Sequence, residues 1–135
     1  MSHLVIDASV AIAAILVEDR TPEARDIVRS AVAGLVVPFL WPLEVGNVLL
    51  LGERRGRFSA ERRDAHMRYL AAMPVTVDRE GQNHAWGATT ELARRHRLTL
   101  YDAAYLELAV RLRVPLATFD AALARVAGAE GVALA

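Results

Sequence analysis

The sequence predicts an α/β protein, a three-layer α/β/α sandwich with a central parallel sheet of four or five strands. Short apolar runs alternate with helical segments along the whole chain, which calls for right-handed crossovers and parallel pairing covered on both faces. No internal repeat, low-complexity tract or linker interrupts the 135 residues, so one domain over residues 1–135 is expected. The hydrophobic fraction of 54% exceeds the roughly 45–50% usual for soluble chains. That argues against disorder and points to an extra buried face, such as an oligomer or partner interface.

The first strand is read over residues 3–6, ending at Asp7, and the apolar stretch 8–17 that follows is rich in helix formers. Thr21 before Pro22 reads as an N-cap with proline at the first helical position, opening a helix to about Gly34. A second strand is expected over 35–37. Trp41 and Pro42 open a helix running through Glu44, Asn47 and Leu51 toward Gly52 or Gly56, and Ser59 starts the next, which Pro74 closes. Residues 74–78 alternate as a third strand, and one long amphipathic helix is expected to reach about His96. Asp102 is expected to open a helix reaching Arg113. A fourth strand follows over 115–119, then a short helix capped by Asp120, and residues 131–134 are a candidate fifth strand at the sheet edge.

Composition removes several classes of function. There is no cysteine, so disulfides and thiolate chemistry are excluded and a bound metal would take oxygen or histidine ligands. No apolar run reaches the roughly 18 residues needed to cross a bilayer. The start has neither a basic leader nor a small-residue cleavage site, and a cytoplasmic protein without membrane contact is expected. Sixteen basic residues balance sixteen acidic ones, so net charge alone would not attract nucleic acid. Every basic residue is Arg, grouped at Arg54, Arg55, Arg57, Arg62 and Arg63 and again at Arg94, Arg95 and Arg97. Phosphate binding and solvated helix ends explain these groups equally well.

Four acidic residues stand out. Asp7 and Asp120 each follow an apolar strand and precede a helix, at the carboxyl edge of the sheet where such folds bind ligands. Asp102 stands at a helix start. Each of the three also reads as a plain N-cap, and capping leaves a carboxylate with lone pairs to spare for an ion. Glu44 lies within the apolar stretch 39–51, so it must be exposed, protonated, paired with an Arg, or bound to a metal. If the four converge, repulsion raises some of their pKa values unless a cation sits among them. Carboxylates with water suit magnesium or manganese.

Residues 5–10 (VIDASV), 42–49 (PLEVGNVL), 98–112 (LTLYDAAYLELAVRL) and 116–123 (LATFDAAL) resemble, in order and spacing, the four signature blocks of PIN-domain nucleases, and more narrowly the VapC toxins of toxin–antitoxin pairs. The resemblance implies a PIN-like fold and a Mg2+- or Mn2+-dependent endoribonuclease with Asp7, Glu44, Asp102 and Asp120 around the metal, directly or through water. It implies hydrolysis of RNA by a metal-activated water, leaving 5′-phosphate and 3′-hydroxyl ends. Ser9, Asn47 and Thr118 match polar positions around that site: Ser9 reads equally as a helix-start hydroxyl, Asn47 shares a helical face with Glu44 and reads comparably as orienting it or as making a structural hydrogen bond, and Thr118 is expected to support the acids. Tyr101 and Tyr105 read as core or interface residues. Where many relatives carry a basic residue after the last Asp, this chain has Ala121 and Ala122. The resemblance also implies an RNA substrate, a cognate VapB-like antitoxin and a homodimer.

Other readings fit less well. His3, His66, His84 and His96 fall at unrelated spacings, which disfavours metal-free histidine catalysis. A phosphoacceptor receiver domain would, by its own family pattern, need a lysine near the last strand, and this chain has none. Neither a GK[ST] loop nor a GxGxxG turn is present for nucleotide binding. The alternative kept is a catalytically inactive PIN-fold protein that only binds a partner.

Overall fold

Runs of Val, Leu and Ile too short for helices form the sheet, and the computed structural model describes them within residues 3–31 and 33–135. In chain order the elements are β1 (His3–Ile6), α1 (Ala8–Ile15), α2 (Thr21–Ser30), β2 (Gly34–Val37), α3 (Leu40–Arg54) and α4 (Ala60–Ala71). Then come β3 (Val75–Val77), α5 (Gly81–His84), α6 (Ala88–His96), α7 (Leu100–Leu112), β4 (Leu116–Ala117) and α8 (Ala121–Ala129). The four strands pair in the order β3-β2-β1-β4, all parallel. From β1 the chain steps outward to β2 and β3, then returns to the other side of β1 as β4. Right-handed crossovers therefore place α1 to α4 on one face and the helices between β3 and β4 on the other, giving the α/β/α sandwich. Contacts follow that division: α1 packs on α2 and α3, and α3 on α4, whereas α7 packs on α5, α6 and α8.

Burial explains why the sheet needs no alternation. Val5, Ile6, Leu35, Val37 and Leu116 are all essentially inaccessible, because each strand has helices above and below. The second layer of core comes from Val10, Ala11, Ala13 and Ala14 of α1 and from Leu106, Leu108 and Ala109 of α7. The alanine-rich stripe lets α1 lie close against α2 and α3.

Several boundaries depart from the sequence reading for local reasons. Thr21 is inside α2 rather than capping it; its hydroxyl donates to the Leu16 carbonyl and accepts from the Glu18 amide, both at 2.9 Å, tying the preceding loop. That helix stops at Ser30 rather than about Gly34, and Val32, within the expected span, lies outside the described residues. The expected single helix up to His96 is two, because Gly87 at φ −116°, ψ −104° leaves helical geometry between α5 and α6. Thr99, not Asp102, caps α7: its side chain accepts from the Asp102 amide at 3.1 Å, placing Asp102 in the first turn. The third and fourth strands are shorter than 74–78 and 115–119, and residues 131–134 contribute only a single parallel bridge, Leu116 to Leu134.

One ion network pins α7 to the end of β3. Arg111 donates to Glu107 at 2.7 Å and to Asp78 at 2.6 Å, and Glu107 is only 4% exposed. Burial works to raise the Asp78 carboxyl, but Arg111 and the backbone amides of Glu80 and Gly81 outweigh it and hold it below the usual carboxylate value. Removing the shared cation would leave a buried acid unpaired. Arg111→Ala is therefore expected to destabilise the protein by about 3 kcal/mol in urea unfolding. Arg111→Ala combined with Glu107→Leu should recover much of that loss; a single variant as stable as wild type would show that the network contributes nothing.

Candidate active site

The strand order reverses between β1 and β4, and the crevice outside the carboxyl ends of those strands is where ligands bind in open α/β folds. Asp7 and Asp120 leave β1 and β4 at this point. Asp7 is 6% exposed and caps α1, accepting the Val10 amide at 3.2 Å. A buried carboxylate needs further donors, and two hydroxyls provide them. Ser9 Oγ donates to Asp7 Oδ1 at 2.6 Å, and Thr118 Oγ1 donates to Oδ2 at 2.5 Å. The polarity of both is fixed, because Ser9 Oγ already accepts the Phe119 amide and Thr118 Oγ1 the Asp120 amide, each at 3.0 Å. A backbone N–H can only donate, so each hydroxyl proton is left for Asp7. The loop after β4 is thereby locked onto the end of β1.

Glu44 is half-buried on α3 and is in no ion pair among the described residues; instead Tyr105 Oη donates to its Oε1 at 2.5 Å. Burial pushes the Glu44 carboxyl above its usual value, the Tyr105 hydrogen bond opposes this, and Asp102 and Asp7 add repulsion. The Tyr105 hydroxyl is driven up in turn by burial and by its bond to Glu44, so it remains a proton donor. Asp102 is raised as well, first by burial and then by Asp120 and Asp7. Asp120 is exposed, caps α8 by accepting the Leu123 amide at 3.0 Å, and keeps its other oxygen free. The four acids thus feel one another across one crevice. Among the described residues none of them is in an ion pair.

Three of the four sit at helix starts, Asp7 and Asp120 as caps and Asp102 in the first turn of α7. The positive ends of three helix dipoles face the cluster and offset part of its mutual repulsion. Asn47 is exposed, and the hydrogen bond to Glu44 comes from Tyr105 instead. Tyr105 lies three residues after Asp102, on the same face of α7, which is the pattern that would have singled it out. Of the arginine groups, Arg63 pairs with Glu53 and Asp64, Arg94 with Glu91, and Arg95 with Glu91 and Glu130. His96 bonds Glu130, and His66 packs edge-on against Phe58.

The donor set is all oxygen, three of its members crowd one another without a counter-charge, and a hard divalent cation fits that chemistry. Among the described residues no three acidic or histidine side chains are drawn tightly enough together to form a complete ligand set. An ion here would keep part of its water shell, as magnesium commonly does. Beside the crevice runs a groove of about 810 Å3 walled by Phe39, Leu40, Val77, Leu100, Tyr101 and Ala104.

Residues 4–129 match the family model of the PIN domain. Ribonuclease VapC1 of Mycobacterium tuberculosis, in strains CDC 1551 / Oshkosh and H37Rv, is 30% identical over 130 residues, covering 95% of this chain and 93% of that protein. The crystal structure of PAE2754 from Pyrobaculum aerophilum superposes with a TM-score of 0.69 at 23% identity, over 93% of this chain and 79% of that one. The structure of Mycobacterium tuberculosis VapC20, described as a sarcin–ricin loop cleaving toxin, gives 0.66 at 16% identity, over 90% and 93%. At those identities the two structures speak for the fold.

The crowding has a consequence for stability. A folded-state carboxyl raised above its unfolded value of about 4 makes the folded form bind more protons. Stability from this term is full below the unfolded pKa and is lost as pH rises through the raised folded pKa. Asp102 has no capping duty, so Asp102→Asn should stabilise the metal-free protein at neutral pH by roughly 0.5 kcal/mol, exposure discounting a larger figure. Asp7→Asn should destabilise it, because an amide nitrogen cannot accept from Thr118. Thermal melts in chelator at pH 4 and pH 8 test this; a destabilising Asp102→Asn at pH 8 would mean the acids do not repel.

Proposed function

Because this chain belongs to the PIN-domain family, we propose that it is a metal-dependent endoribonuclease acting as the toxin of a toxin–antitoxin pair, with residues 1–135 forming one nuclease domain. The observation that carries this is the mutual repulsion of the carboxylates near the sheet's switch point, none of them in an ion pair among the described residues. The 30% identity to a ribonuclease along nearly the whole chain supports the same activity.

Asp7, Glu44, Asp102 and Asp120 would hold a magnesium or manganese ion, partly through water. The ion supplies charge relief on the phosphate and a water of lowered pKa at neutral pH. The protein does the positioning. Ser9 and Thr118 fix the Asp7 carboxylate, whose Oδ1 accepts from Val10 and Ser9 and whose Oδ2 accepts from Thr118 and keeps one lone pair for an ion. Tyr105 holds Glu44 by one oxygen and leaves the other free. Glu44 and Asp102, raised by burial and by the neighbouring acids in the metal-free protein, would be relieved by the ion's charge. No side chain has to act as nucleophile.

The substrate is RNA and the partner a small VapB-like antitoxin whose cation would neutralise the crevice. Phe39, Leu43, Tyr101 and Trp86, all more than half exposed, give a homodimer or the antitoxin apolar surface to cover. No helix of the described residues is long and apolar enough to cross a membrane.

Purified protein should cleave single-stranded or loop RNA only with Mg2+ or Mn2+. Chelation, Asp7→Asn or Asp102→Asn should each lower the rate by at least about a hundredfold. Undiminished cleavage by the folded Asp102→Asn variant would remove it from the mechanism. Co-expression with the neighbouring reading frame should give a complex in which cleavage is suppressed.

A further inference from the structure

The crevice poses a problem for an anionic substrate. Its four acids repel phosphate, the net charge of the chain is zero, and the residues after Asp120 are Ala121 and Ala122. A cation must come from elsewhere, and one is built into the rim. The Arg20 guanidinium lies over the Phe119 ring with its carbon 3.7 Å from the ring centre. Phe119 directly precedes Asp120, and its amide is bonded to the same Ser9 hydroxyl that holds Asp7. The guanidinium is thus stacked on the loop that closes the acidic crevice.

Its orientation is set from a second side. Arg20 Nε and Nη2 donate to both oxygens of Glu23 at 2.9–3.0 Å, while Nη1 makes no hydrogen bond among the described residues. The pair is half-exposed, 49% and 55%, so water screens it and the guanidinium keeps its attraction for other anions. A cavity of about 350 Å3 opens beside it, walled by Ser9, Ile12, Val48 and Phe119, with Arg20 and Glu18 as its charged residues. The Phe119 ring and the Glu23 fork hold the guanidinium from two sides, and the Nη1 edge is the form of donor that suits a phosphate oxygen.

We propose that Arg20 is the phosphate-binding residue of this nuclease, seating an RNA phosphodiester beside the acidic crevice, with Phe119 and Glu23 holding it in place. This rests on the ribonuclease reading above. Arg20 does no chemistry; it supplies affinity and register, which this chain lacks at the positions after Asp120.

The test is binding of a single-stranded RNA oligonucleotide in chelator, followed by fluorescence anisotropy over a series of salt concentrations, for wild type, Arg20→Ala, Arg20→Lys and Glu23→Gln. Loss of one charge-assisted phosphate contact should weaken Arg20→Ala about tenfold and reduce the slope of log K against log salt by about 0.7. Arg20→Lys should restore the slope without the full affinity. Glu23→Gln should keep the wild-type salt slope, because the Arg20 cation remains. Both Arg20→Ala and Glu23→Gln abolish the same ion pair, so a loss of slope in Arg20→Ala that Glu23→Gln reproduces would make the role structural and overturns the proposal. An Arg20→Ala protein with wild-type affinity and slope overturns it too. Cleavage of the same oligonucleotide with Mg2+, lost in Asp102→Asn, establishes the nuclease reading separately. A wild type that neither binds nor cleaves RNA defeats both.

Discussion

The burial of the Asp7 carboxylate without a protein cation among the described residues is the constraint that organises this molecule. Such a group is tolerated only if donors surround it. The first turn of α1 gives one through the Val10 amide, and two more arrive through Ser9 and Thr118, whose proton directions are dictated by backbone amides behind them. Those amides belong to the loop leaving β4, which is in place only because β4 pairs with β1. Sheet order, helix capping and the form of the crevice are therefore one arrangement seen at three scales.

The same arrangement makes a cluster of four acids affordable. Helix starts at Asp7, Asp102 and Asp120 turn positive dipole ends toward the crevice, and Tyr105 satisfies one oxygen of Glu44 from within the core. What this leaves uncompensated, visible as raised carboxyls at Glu44 and Asp102, is an affinity for cations that the fold keeps in reserve. Rigid support from strands and helix ends, rather than from long loops, keeps the acids at their posts before any ion arrives.

Much of this could be read from residue order, and the exceptions have local causes. Asp7 and Asp120 are marked by an apolar strand on one side and a helix on the other, and Glu44 by its isolation among apolar neighbours. Asp102 was legible as an acid at a helix start, but the cap is the Thr99 hydroxyl three residues earlier, so the boundary shifts. The break between α5 and α6 escapes a periodicity argument because the polar and apolar alternation runs through Gly87 unchanged, while the backbone there does not. Tyr105 reads as core, and it is core; its hydroxyl alone reaches the crevice, a fact carried by tertiary contact with α3. Arg20 looks like a loop residue beside a glutamate, and only the return of the chain at Phe119 gives it a platform.

The bond between Thr118 and Asp7 joins residues 111 apart in the chain. Local segments of an emerging polypeptide organise first, and contacts of such separation come last because the loop they close is so long. A growing chain carries Asp7, Glu44 and Asp102 well before it carries the strand, the hydroxyl and the final acid that complete the crevice. For a protein whose activity would be turned on RNA, the order of synthesis is then itself a safeguard: the nascent chain stays without its assembled crevice until Thr118 and Asp120 have followed Asp7 out of the ribosome that made it.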